Sequence, residues 1–157
     1  MNPRLMLRFA GLAAIASIST ALVVAAEPRQ GSSARPEMTV FKDPNCGCCK
    51  AWVDHLRKHA FTVTTKDTSG MASIKSAARV PADHRSCHTA FVNGYVIEGH
   101  VPAEDIKRLL AEKPKVAGLA VGGMPIGSPG MEVGNRKVAY DVIAFNRDGT
   151  TRIFAKH

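Results

Sequence analysis

Cysteines are the residues of this chain whose type and spacing could do chemistry, and there are four of them. Three crowd into Cys46-Gly47-Cys48-Cys49, and Cys87 lies far downstream beside His88. Cys46 and Cys49 stand at i and i+3. Where a helix opens on that spacing, both sulfurs fall on one side of its first turn. They then lie beside unpaired backbone N–H groups and the positive end of the helix dipole. That setting favours thiolate, which is both the nucleophile and the metal-binding form. A Cys-x-x-Cys redox pair needs these two sulfurs only. Cys48 and Cys87 are surplus to it.

Several uses compete for the set. A structural zinc site ties well-separated ligand pairs together, and Cys46, Cys48 and Cys49 are too cramped for one tetrahedron. A single zinc ion on four thiolates is also left with net negative charge. Iron–sulfur clusters usually take wider spacing. A dithiol oxidoreductase would leave Cys48 and Cys87 as liabilities. Cu(I) is soft, prefers thiolate and accepts low coordination with bridging sulfurs. Several Cu(I) ions on four thiolates approach neutrality, which avoids burying charge. On spacing, copper leads and disulfide exchange follows.

The N-terminus sets the compartment in which these sulfurs are read. Residues 1–26 have the pattern of a secretory signal: Arg4 and Arg8, an Ala-rich apolar run from Phe9, then Val24-Ala25-Ala26 at a cleavage-like site. The run approaches membrane-spanning length. Ser17, Ser19 and Thr20 weaken it, so removal is expected, with no stable membrane insertion afterwards. No Arg-Arg pair and no cysteine follow the pattern of a twin-arginine or lipid-anchored signal. Export to the periplasm is the expectation, and free thiols there tend to pair unless something holds them. The formal charge of +8 drops to +6 when Arg4 and Arg8 leave. That excess is scattered, with no aromatic-rich basic stripe, which argues against nucleic acid as a partner.

The elements that must position the sulfurs follow from pattern. Residues 27–37 are polar and rich in Pro, Gly and Ser, a flexible leader. Met38 to Lys42 has strand composition. Trp52, Val53, Leu56 and Ala60 mark one face of a helix beginning at the cysteines. Phe61 to Thr65 reads as a strand, and a short helix over about Met71–Arg79 is expected, capped by Thr68 or Ser69 with Ile74 and Ala78 inward. Thr89 to Val92, Asn93-Gly94 and Tyr95 to Ile97 read as strand, type I′ turn, strand. Pro102, Glu104 and Asp105 open a last helix with Ile106, Leu109 and Leu110 inward. The fold class is α/β, a thioredoxin-like β-α-β-α-β-β-α core over residues 38–113. Residues 114–157 form a C-terminal extension of the same domain. Gly118 to Gly134 is expected as an irregular loop without packed secondary structure, followed by a hairpin from Val138–Phe145 and Thr150–Ala155.

Residues 38–131 resemble the CopG-like family of exported copper-resistance proteins, long a domain of unknown function with a thioredoxin-like fold. The resemblance rests on Asp43-Pro44 with Cys46-Gly47-Cys48-Cys49 and Trp52, and on Ser86-Cys87-His88-Thr89 and Glu98-Gly99-His100-Val101-Pro102. Met124-Pro125 with Gly127-Ser128-Pro129-Gly130-Met131 completes it. It implies copper bound by Cys46, Cys48, Cys49 and Cys87, and a role in copper tolerance or Cu(I)/Cu(II) handling, with other periplasmic copper-handling proteins as partners. Thioredoxins place a cis-proline before their third strand. Here that neighbourhood is Cys87-His88-Thr89, which favours a metal over a disulfide-exchange substrate.

His88, His100, Met124 and Met131 are secondary metal candidates. Regular strand alternation would turn Cys87 and His88 to opposite faces, and His100 could equally serve its own loop. Met124 and Met131 flank a loop that could fold over the sulfurs, and thioethers suit Cu(I). As loop gap-fillers they would have no such role. His55 and His59, at i and i+4, could chelate a metal by themselves. His55 is about 10 Å along the helix from Cys48, outside the sulfur site, and the pair reads as solvated. Trp52 reads as core, and Asp43 as orienting the cysteine loop or capping the helix. No residue is assigned a catalytic role. The expectation is a metal-binding protein holding Cu(I) in a four-cysteine site, with copper redox activity open. A thiol–disulfide oxidoreductase using Cys46 and Cys49, or a structural zinc module, stands as the alternative.

Overall fold

Alternation along Met38, Val40 and Lys42 turns these side chains inward from the first strand, and the amphipathic run after the cysteines covers them. The computed structural model describes residues 35–157. The expected signal over residues 1–26 and most of the leader lie outside the described residues. In chain order the elements are β1 (Glu37–Lys42), α1 (Gly47–Lys58), β2 (Thr62–Asp67), α2 (Met71–Ala77), β3 (Thr89–Val92), β4 (Tyr95–Glu98), α3 (Ala103–Glu112), β5 (Gly118–Ala120), β6 (Asp141–Phe145) and β7 (Thr151–Lys156). Among the described residues, no helix is long and apolar enough to cross a membrane.

The strands form one seven-stranded sheet in the order β2-β1-β3-β4-β5-β6-β7. β1 pairs parallel with β2 and antiparallel with β3, and β3 and β4 form the expected hairpin. Asn93 and Gly94 both take positive φ, 45° and 83°, as a type I′ turn requires. That turn fixes the register and sets Thr89 opposite Glu98. The β-α-β-α-β-β-α core is therefore present as read.

Two apolar layers cover the sheet. Trp52, Val53 and Leu56 of α1 and Ile106 and Leu109 of α3 pack with Ile97, Leu119 and Ala144. The neighbouring strand residues Val96, Ala120 and Phe145 pack instead with Val80. Successive residues of β4, β5 and β6 thus divide between the two faces, as pleating requires.

Two expectations are corrected. Residues 118–134 are not wholly irregular, because Gly118–Ala120 is a fully buried strand between β4 and β6. A Cβ on Gly118 would run into the Val96 carbonyl oxygen, so the close approach of β5 to β4 accounts for that glycine. A three-residue strand is too short for alternation to show. The extension accordingly adds three strands, not two. In α2 the N-cap is Gly70 rather than Thr68 or Ser69, and the buried residue is Lys75. The charge of Lys75 is met by Glu98, which is why a lysine can occupy an inward position there.

Candidate metal centre

The sulfur loop is built locally. The Asp43 carboxylate accepts from the Asn45 amide (2.8 Å), and the Asp43 carbonyl accepts from the Cys46 amide (3.1 Å), turning the chain into α1. Cys46 is itself the N-cap, its sulfur accepting from the Cys49 amide at 3.3 Å. Asp43 thus shapes the loop, as expected, and leaves the cap to Cys46. Cys46 and Cys49 are joined by a disulfide, while Cys48 and Cys87 are free thiols. The Cys48 sulfur is 3.4 Å from that of Cys46 and 3.9 Å from that of Cys87. All four sulfurs lie within 4.8 Å of one another. The two segments predicted to meet do meet.

Cys87 sits in a different environment. Burial, and then the neighbouring Cys48, push its thiol up to about 11. The His100 Nε2 is 3.2 Å and the His88 Nδ1 3.3 Å from its sulfur. Both rings are fully buried. The His100 Nδ1 lies 2.8 Å from the Pro129 carbonyl oxygen, which only accepts, so Nδ1 carries the proton and Nε2 faces Cys87 with its lone pair. Burial lowers the pKa of His100, and lowers that of His88 further, with His100 and Lys75 adding to the effect on His88. Both rings are therefore neutral near pH 7. The His88 ring lies 4.2 Å from that of Trp52, and its Nε2 has no hydrogen-bond partner. Cys87 and His88 precede β3, so strand alternation does not separate them. Cys87, His88 and His100 can offer ligand atoms within 4.8 Å of one another.

Lys75, which sequence reasoning did not single out, joins Glu98, Thr89 and Ser86 in holding this second segment in place. Lys75 Nζ contacts Glu98 Oε1 at 2.6 Å and donates to Thr89 Oγ1 at 3.1 Å. The same Glu98 accepts from the Ser86 amide (2.7 Å) and the Thr89 hydroxyl (2.7 Å). Lys75, Thr89 and Glu98 are all buried. The ion pair thus fixes the backbone immediately before Cys87, and the Ser86 hydroxyl donates to the Gly123 carbonyl. The hairpin register sets Thr89 opposite Glu98. Nothing marked Lys75.

The loop of Met124 to Met131 does lie against α1. Gly130 has φ +84°, and a Cβ there would stand 2.7 Å from the Trp52 nitrogen and 2.9 Å from the Cys48 carbonyl oxygen. This close approach carries the Pro129 carbonyl to His100. Met124 is 52% exposed, and Met131 is partly buried. Trp52 is buried as expected and donates from Nε1 to the Val101 carbonyl at 2.9 Å. His55 is not the solvated residue expected: its Nε2 accepts from the Ala103 amide at 3.2 Å, and its ring packs 4.2 Å from that of His59.

A comparison with curated proteins finds no match. Residues 84–131 match the family described as a protein of unknown function, DUF411, a span that holds Cys87, His88, His100, Met124 and Met131. Two solved structures are similar over most of the chain. One, described as copper resistance protein copG, form 2, is 44% identical, with 78% of this chain and 98% of that chain covered and a TM-score of 0.75. The other, form 1, is 45% identical over 77% of this chain and 96% of that chain, with a TM-score of 0.74. With the sulfur site assembled on the same fold at this identity, the chain belongs to the CopG family of copper-resistance proteins.

Proposed function

We propose that this is a periplasmic copper-binding protein that holds Cu(I), as a cluster of more than one ion, on Cys46, Cys48, Cys49 and Cys87. It serves copper tolerance by storing and passing on copper or by changing its oxidation state. One observation carries the reading: four sulfurs from two distant segments converge within 4.8 Å, in a family whose solved members are described as copper resistance proteins. Soft thiolates that can bridge suit several Cu(I) ions better than a single zinc ion.

Cys46 and Cys49 in disulfide form cannot both act as thiolates. The binding form follows from two-electron, two-proton reduction of that bond to two thiols by an external dithiol reductant. Copper then displaces the thiol protons, including that of Cys87. His100 keeps a lone pair directed at the Cys87 sulfur and His88 stands beside it, so both are secondary ligand candidates. Met124 and Met131 remain thioether candidates on the loop that lies against α1. The partners are copper ions and other copper-handling proteins of the periplasm.

The Cys46–Cys49 disulfide favours one second reading, thiol–disulfide exchange by that pair. Anaerobic titration of the fully reduced protein with Cu(I) separates the two. More than one copper per chain is expected, falling in Cys48→Ser and in Cys87→Ser. Copper binding that survives both substitutions, with dithiol turnover that needs only Cys46 and Cys49, would replace the proposal with the oxidoreductase. One tightly held Zn(II) per purified chain and no redox activity would indicate a structural zinc module.

A further inference from the structure

Helix α1 carries metal-binding residues at both ends. The sulfur site occupies its N-terminus. At its C-terminus, His55 in the last turn and His59 at the C-cap meet Glu104 in the first turn of α3. One ligand atom from each of the three lies within 4.8 Å of the other two. The His59 Nδ1 is 2.8 Å from the His55 carbonyl oxygen, which only accepts, so Nδ1 carries the proton. In the neutral ring the His59 Nε2 is then the lone-pair nitrogen, and it lies 3.2 Å from Glu104 Oε1. Two acceptors at that distance need a proton or a cation between them.

We propose that His55, His59 and Glu104 form a second metal site, separate from the sulfurs, for a borderline divalent cation such as Cu(II) or Zn(II). Two imidazoles and a carboxylate are the donor set these ions prefer, and thiolate is what Cu(I) prefers. Histidines at i and i+4 on one helix face present both rings to a single ion. The position helps too, since the C-terminal end of a helix is its negative pole and favours a bound cation. Burial, and then His59, lower the pKa of His55, which leaves that ring neutral and able to donate a lone pair near pH 7. His59 is about one-third exposed and Glu104 about two-thirds, so an ion reaches the site directly from solvent.

The His55 lone pair is engaged by the Ala103 amide. Metal binding therefore exchanges that hydrogen bond for a metal bond and frees an amide in the first turn of α3. The exchange gives the proposal a signature independent of affinity. It also separates the site in kind from the sulfur cluster about 9 Å away along α1, six residues at 1.5 Å each. One helix would then hold the soft and the borderline oxidation states of a metal at opposite ends.

The test uses the mature chain with Cys48→Ser and Cys87→Ser and the Cys46–Cys49 disulfide intact, so that no free thiol remains. Circular dichroism checks the fold. Titration with Zn(II), and separately with Cu(II), is expected to give one ion per chain, with Cu(II) the tighter. His59→Gln and His55→Gln should each weaken binding at least tenfold, and Glu104→Gln several-fold. In the Zn(II) titration the Ala103 amide resonance should move in step with occupancy. The Cu(II) spin-resonance spectrum should show nitrogen coupling that diminishes in His59→Gln. Absence of binding in the thiol-free protein would overturn the proposal. So would affinity unchanged by His59→Gln, or an Ala103 amide that stays in place while the metal binds. Because the sulfur site is dismantled in this protein, none of these outcomes bears on Cu(I) binding by the four cysteines.

Discussion

The two sides of the sulfur site are built in opposite ways. Cys46, Cys48 and Cys49 share a single helical turn, and the hydrogen bonds from Asp43 and Cys46 that shape it are made within residues 43–49. Cys87 sits on a segment held by α2 through Lys75, by β4 through Glu98, and by the loop after β5 through Gly123. His100 beside it is fixed in turn by Pro129. The first side carries a disulfide that reduction would open to a dithiol. The second is anchored to buried charge and buried imidazole, so it sets where the fourth sulfur stands. Lesions on the first side should therefore alter metal binding and little else. Lesions on the second should also cost stability.

The largest expected effect comes from Lys75→Met. It leaves the Glu98 carboxylate fully buried with its cation removed, while Glu98 still receives the Ser86 amide and the Thr89 hydroxyl. Breaking a buried pair in this way costs about 3–5 kcal/mol. The comparison on the first side is Asp43→Ala, which removes one exposed hydrogen bond, worth about 1 kcal/mol or less. Urea unfolding of the metal-free proteins measures both. Equal, small losses would mean that the buried network does not hold the Cys87 segment, and the contrast between the two sides would fail.

A middle-sized effect is expected for His100→Gln. The ring places a lone pair 3.2 Å from the Cys87 sulfur while its other nitrogen donates to Pro129. Losing a residue that orients or completes a metal site typically lowers affinity by about 10–100-fold. Competition with a Cu(I) chelator should show that drop in His100→Gln, with the copper count per chain kept by the four cysteines. An unchanged affinity would reduce His100 to a structural loop residue.

The same contrast explains what the sequence made legible. The cysteine turn, the helix behind it and the Asn93-Gly94 hairpin are governed by short-range rules and formed as read, except that the helix ends at Lys58 and leaves Ala60, expected on its inward face, exposed with φ 67°. The convergence of Cys87 on the other sulfurs followed from placing it just before the third strand of the core. The inward Lys75 was invisible because only the strand opposite supplies its counter-charge. The question left open at His88 turned on where β3 begins, and the strand starts one residue later, at Thr89. Gly118–Ala120 was missed because it has neither the length for alternation nor polar flanks, and its burial comes from the strands on either side of it. His55 looked solvated because its partner, the Ala103 amide, is forty-eight residues away.

The smallest effect tests whether the second side, unlike the first, makes stability depend on pH. His88 and His100 are held neutral, chiefly by burial, with pKa values below the ordinary 6.5. In the unfolded chain both rings regain their usual pKa and take up protons as the pH drops below 6.5. The folded protein takes them up less readily, so stability present above pH 6.5 is lost as acid is added. The expected loss is about 1.4 kcal/mol per pH unit for each ring that stays neutral. Cys87 acts at the other end of the scale. Its folded thiol is raised from 9.0 to about 11, so the stability it contributes is intact below pH 9 and is lost as the pH rises toward 11. The Cys46–Cys49 disulfide does not titrate and contributes nothing in either range. Urea midpoints of the metal-free, oxidised protein should therefore fall between pH 7 and pH 5.5. His88→Phe, which keeps an aromatic ring beside Trp52, should flatten that slope by the share of one proton. A midpoint independent of pH in the wild type, or a slope that His88→Phe leaves unchanged, would mean that the buried imidazoles do not separate the two sides of the site.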